Sequence, residues 1–178
     1  MSDTESGSVG EPDAADGPHT RRPAAALWLV TLAALTVHNV EEGMLGLNRW
    51  LTERPWFPPQ ASHLSDGQFT AALVIVTVAV GIIAVVSVFM PPRWGIEALT
   101  AVAYALIVNA VSHILMSFVS WDPMPGMFTS VLVLLPVSIL VLRRLPATRW
   151  TAGSVVGTVL LAFVLLFGAL VPAQYLPL

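Results

Sequence analysis

The chain has neither cysteine nor lysine among its 178 residues. Lack of cysteine excludes disulfides, thiolate nucleophiles and thiolate-bound metals. Lack of lysine excludes a Schiff-base or phosphate-loop lysine, and all eight basic residues are arginine. Charge of either sign is scarce: 11% of residues are charged, against about 25% in a soluble domain. What fills the space is apolar, at 56% hydrophobic residues with a mean hydropathy of +0.77. This is the composition of an integral membrane protein. The net charge of -3 comes largely from the N-terminal tail and gives no reason to expect nucleic acid as a partner.

Residues 1–22 are rich in Ser, Gly, Asp, Glu and Pro and carry no apolar face, so they read as a disordered cytoplasmic tail. Residues 23–178 read as a single transmembrane helical domain. Arg21-Arg22 precedes the first apolar run, but Pro23 and Ala24 follow the pair and no small-residue cleavage site ends the run. A retained first span is therefore expected rather than a twin-arginine signal.

Spanning a bilayer takes roughly 20 apolar residues. Five segments meet or approach this, at 24–47, 69–90, 96–119, 126–142 and 151–171, with prolines and a Pro-Gly pair punctuating the breaks. The expected fold is an all-α, polytopic membrane helix bundle of about five transmembrane helices. With the N-terminus inside, Arg21, Arg22, Arg93, Arg143, Arg144 and Arg149 are cytoplasmic, and only Arg49 and Arg54 are outside. That bias favours an N-in, C-out arrangement in the inner or plasma membrane. Trp50, Trp56 and Trp121 then mark the outer interface, Trp94 and Trp150 the inner one. The segment 48–68 is the longest connection and reads as a cap on the outer surface.

The first span carries His38-Asn39-Val40-Glu41-Glu42. An ionisable side chain at the centre of a span costs on the order of 3 kcal/mol or more, so this stripe must face protein, metal or water. His38, Glu41 and Glu42 fall within an arc of about 100° on a helix. The third span carries Asn109 and His113 at i and i+4, with Ser117 a turn further on. Both stripes lie roughly 20–26 Å from the cytoplasmic ends of their helices at 1.5 Å per residue. Two polar stripes at one depth argue for one shared site.

His–x–x–Glu presents a nitrogen and a carboxylate to a common point, as in carboxylate–histidine sites of helical bundles. His113 adds a second nitrogen, and His63 in the outer loop is a candidate third. A set of His38, Glu41, Glu42, His113 and His63 without thiolate suits a divalent metal such as zinc, iron or manganese. The metal-free alternative uses the same atoms. Adjacent carboxylates in a low-dielectric pocket resist double ionisation, leaving one as general acid with His38 or His113 as base. The structural alternative treats these groups as interhelical hydrogen bonds of modest energy, a reading that suits Asn109 best. Asp122 reads as a solvated turn residue or, more sharply, as a residue at the mouth of the site.

His38-Asn39-Val40-Glu41-Glu42 resembles the defining motif of the HXXEE family of small bacterial membrane proteins. Val108-Asn109-Ala110-Val111-Ser112-His113 resembles that family's less strict Gly-Asn-x-x-x-His motif, with Val108 in place of glycine. The family has one further histidine, for which His63 is the candidate, and Pro125-Gly126-Met127-Phe128-Thr129 resembles its Pro-Gly-x-x-Thr element. The resemblance covers roughly residues 30–142. It implies that the two stripes belong to one site and supplies little mechanism.

Three functions follow as expectations. The first is an intramembrane enzyme in which His38, Glu41, Glu42 and His113 bind a metal or perform acid–base catalysis on a lipidic or apolar substrate, with Asn109 orienting a ligand. The second is a small proton- or ion-handling transporter, in which further copies of the chain supply a pathway. The third is a non-catalytic membrane subunit with a structural polar core. Besides substrate, the expected partner is the lipid bilayer.

Overall fold

The computed structural model describes residues 21–56, 64–146, 156, 157, 160 and 169–177. Among these the chain is helical throughout its regular structure. The elements are α1 (Arg21–Met44), α2 (Leu47–Thr52), α3 (Asp66–Phe89), α4 (Pro92–Ser120) and α5 (Met127–Arg144). Four stretches, Ala24–Met44, Asp66–Phe89, Trp94–Ser120 and Met127–Arg144, are long and apolar enough to cross a membrane. They match the first four expected spans to within a few residues. The fifth, at 151–171, falls mostly outside the described residues, and His63, Trp150 and residues 1–20 of the expected tail lie outside them altogether.

The helix ends follow local sequence. Ser65 caps α3 with a reciprocal box, its hydroxyl accepting the Gln68 N–H while the Gln68 side chain accepts the Ser65 N–H. Pro91-Pro92 ends the connection between α3 and α4, and Gly95 lets α4 approach α3, because a Cβ there would sit 3.0 Å from the Ser87 carbonyl. The α5 helix departs from α geometry over Ser130–Leu134, where it widens to a π turn closed by Leu135 N–H to Ser130 O. Pro136 follows immediately. It has no N–H to give Leu132 and its ring crowds that carbonyl, and the wider turn relieves both problems.

The core lies where α1, α3, α4 and α5 meet. It contains Trp28, Leu35, Val80, Leu99, Leu106 and Leu134, with Ala103 and Ala110 fully buried at the close approaches. The outward faces are apolar too: Leu29, Val37, Val40, Val78, Ile82 and Phe89 are all exposed. Apolar outside and polar within is the arrangement a hydrocarbon solvent imposes. Near the C-terminus, residues 169–173 are helical, and Ala169 and Ala173 pack on Ala72 of α3.

Of the tryptophans expected at the interfaces, Trp50 is buried with Leu47 and Met124, and its indole N–H donates to Asp122. Trp56, Trp94 and Trp121 remain exposed.

Candidate functional site

The buried end of α1 meets α4 and the start of α5 at three side chains. Glu42 Oε1 lies 2.9 Å from His113 Nε2 and 3.1 Å from His38 Nε2. The two imidazoles stand edge to face, with ring centroids 4.9 Å apart and planes at 84°. One ligand atom from each of His38, Glu42 and His113 lies within 4.8 Å of the others, and all three residues are buried. The spacing explains the meeting: His38 and Glu42 are one turn apart on α1, at i and i+4.

Asn109 and Thr129 fix the His38 ring. The Asn109 amide Nδ2 donates to His38 Nε2 at 2.9 Å, so that nitrogen carries a lone pair. The ring proton is then on Nδ1, 2.9 Å from Thr129 Oγ1, and the threonine hydroxyl passes its own proton towards the Gly126 carbonyl at 3.3 Å. With that lone pair taken by Asn109, His38 Nε2 still lies 3.1 Å from Glu42 Oε1, acceptor beside acceptor. Two such acceptors repel one another unless a proton or a metal ion lies between them.

Gly126 makes the closeness possible. Its φ is +92°, and a Cβ built there would lie 2.8 Å from His113 Cε1 and Nδ1 and 2.9 Å from His38 Cε1. Glycine meets both requirements: the left-handed backbone and the bare approach to two rings. It also deprives α5 of a side-chain cap, and Glu41 supplies one from α1. The Glu41 carboxylate accepts the Thr129 N–H at 2.7 Å and the Phe128 N–H at 3.3 Å. Glu41 therefore does not join the cluster of His38, Glu42 and His113. Asn39 turns to α3 instead, donating to Thr77 Oγ1 at 2.8 Å. Ser117 accepts the Met124 N–H and donates to the His113 carbonyl, tying the end of α4 to the following turn.

The donor set suits a four-coordinate metal ion. A tetrahedral ion bound at about 2.0–2.1 Å holds its donors roughly 3.3 Å apart. The observed 2.9 and 3.1 Å separations need an opening of only a few tenths of an ångström. Asn109 would have to release His38 Nε2 for that nitrogen to bind an ion. Thr129 on the opposite ring nitrogen is the kind of partner that orients a ligating histidine.

Of the site residues expected from sequence, His38, Asn109, Glu42 and His113 come together, Glu41 stands beside them as a helix cap, and His63 lies outside the described residues. Gly126 and Thr129 enter from the sequence only through the Pro-Gly-x-x-Thr resemblance. The signal for them was the glycine followed three residues on by a hydroxyl at a helix start.

The helices and the site define a membrane helix bundle with a buried histidine–carboxylate centre. The chain belongs to the family described as a protein of unknown function with HXXEE motif, which it matches over residues 28–141. No curated protein and no solved structure matches it.

Proposed function

We propose that this chain is a multi-pass enzyme of the cell membrane, with its N-terminus inside, in which His38 Nε2, Glu42 Oε1 and His113 Nε2 hold a divalent metal. The observation that carries the reading is the convergence of those three atoms from two helices in a buried pocket. Three protein donors of the His2Glu type leave a further coordination position for water or substrate, as catalytic zinc sites do. A bound ion there supplies Lewis acidity, by polarising a carbonyl or phosphoryl oxygen or by activating water. Zinc, iron and manganese all accept this donor set. Burial of the centre among helices long and apolar enough to cross a membrane favours a lipidic or otherwise apolar substrate.

The test is metal content. Protein purified in detergent without a His tag or chelator is analysed by mass spectrometry beside His38→Ala and His113→Ala. The expected result is near-stoichiometric metal lost in both variants. A folded wild type free of metal overturns the metal reading and leaves acid–base chemistry by the same side chains.

A second reading, proton handling, draws on the line of hydrogen bonds from Asn109 through His38 and Thr129 to the Gly126 carbonyl. It expects a proton flux in proteoliposomes that disappears in Glu42→Gln.

A further inference from the structure

Glu42 has a second face. Besides meeting both imidazoles, it lines a cleft of about 200 Å³ bounded by Gly43, Asn48, Arg49, Asp66 and Thr70. None of the other members of the cluster reaches this cleft. Its walls are the last turn of α1, the first turn of α2 and the first residues of α3. Arg49, Asp66 and Thr70 are exposed, whereas the Glu42 side chain is only 7% accessible. The cleft thus runs from charged groups at the helix ends to the carboxylate at the heart of the site. An arginine and an aspartate facing lipid tails would be costly, so the mouth of such a cleft belongs in water. Gly43 leaves the passage without a side chain. A Cβ there would meet only Leu73 Cδ1 at 3.8 Å and Thr70 Oγ1 at 4.0 Å, so the glycine is not forced by crowding.

We propose that this cleft is an aqueous entrance to the centre, through which water and hydrated divalent cations reach Glu42 while apolar substrate arrives from the lipid side. The proposal rests on the enzyme reading for the centre it serves, but its main test does not require a metal. It gives the centre the supply of water that a hydrolytic or hydrating reaction on an apolar substrate needs.

Because the chain has no cysteine, each introduced thiol is unique. Gly43→Cys, Thr70→Cys and Val40→Cys are placed in lipid nanodiscs, where both membrane faces meet buffer, and treated with a charged, water-soluble thiosulfonate. Val40 is the control, exposed on the same helix but lining no part of the cleft. Thiols react as thiolates, which form in water and not in hydrocarbon, so Gly43→Cys and Thr70→Cys should label at least about tenfold faster than Val40→Cys. Labelling of folded Gly43→Cys as slow as that of Val40→Cys overturns the proposal. So does labelling that is fast in detergent and slow in nanodiscs, because lipid then covers the mouth. Should Gly43→Cys not fold, Asn48→Cys, half-buried in the wall of the cleft, takes its place in the comparison. In protein loaded with zinc, labelling Gly43→Cys should slow removal of the ion by EDTA, and an unchanged rate also counts against the route. A wild type that binds no zinc while Gly43→Cys labels quickly defeats the metal reading and leaves the entrance standing.

Discussion

Glu41 Oε2 accepts the backbone N–H of Thr129 at 2.7 Å, so a carboxylate on one membrane helix caps the start of another. The next residue, Glu42, reaches His113 instead. Successive residues on a helix differ in bearing by about 100°, and that rotation separates the two glutamates into a positioning group and a member of the cluster. The cap matters to the site because the helix it fixes carries Thr129, which holds the His38 ring.

The division predicts opposite behaviour for two conservative changes. Glu41→Gln keeps one acceptor oxygen but loses the charge at the helix start, a cost of about 1 kcal/mol. It should lower the melting temperature in detergent and leave metal stoichiometry unchanged. Glu42→Gln should do the reverse, folding as well as wild type and losing the metal. Thermal melts and metal analysis on the same samples separate the two, and loss of metal in both variants would return Glu41 to the cluster.

Two glycines should respond oppositely to alanine. At Gly126 the left-handed backbone alone adds roughly 1–3 kcal/mol of strain, and the new methyl would also displace both imidazoles. Gly126→Ala should fold poorly and retain no metal. At Gly43, inside the last turn of α1, the methyl enters ordinary contact distance. Gly43→Ala should raise stability by up to about 1 kcal/mol through helix propensity. Paired melting curves test this, and equal effects at the two positions would contradict the geometry.

Periodicity reveals which face of a helix a residue occupies, and this was enough to place His38 and Glu42 on one stripe and Asn109 and His113 on another at the same depth. It does not reveal what that face meets. The partners of Glu41 are backbone N–H groups on α5, which leave no mark in the pattern of side chains. Asp122 was legible only as a turn residue or a mouth residue, because Arg54 and Trp50, which donate to it, lie 68 and 72 positions away. The π turn has a local cause in Pro136, but a proline within an apolar run marks a disturbance without fixing its form.

Thr129 should be replaceable by one residue and not by another of similar size. Thr129→Val removes the acceptor of the His38 Nδ1 proton and leaves a buried N–H unpaired. Loss of such an orienting partner typically weakens metal binding by about 10- to 100-fold. Thr129→Ser restores the hydroxyl and should restore affinity. Competition with a chromophoric chelator measures both. Wild-type affinity in Val with weakening in Ser would mean that the threonine methyl, rather than its hydroxyl, supports the ring.

At the other end of the cap, three side chains fasten α2 to the turn between α4 and α5. The Trp50 indole donates to Asp122 Oδ2 at 2.9 Å, Arg54 pairs with the same oxygen, and the Arg54 guanidinium lies 4.3 Å from the centre of the Trp50 ring. The Asp122 side chain is about half exposed, which limits what the ion pair contributes to stability. The indole bond is the better-shielded contact, worth about 1 kcal/mol. Asp122→Ala should therefore loosen α2 without disturbing the centre. Amide exchange should accelerate over residues 47–54, remain unchanged over residues 28–42, and metal content should hold. Trp50→Phe keeps the ring and removes only the indole N–H, so combining it with Asp122→Ala should cost less than the sum of the two single changes. Strict additivity would mean that the two side chains hold α2 independently, through packing rather than through their shared hydrogen bond.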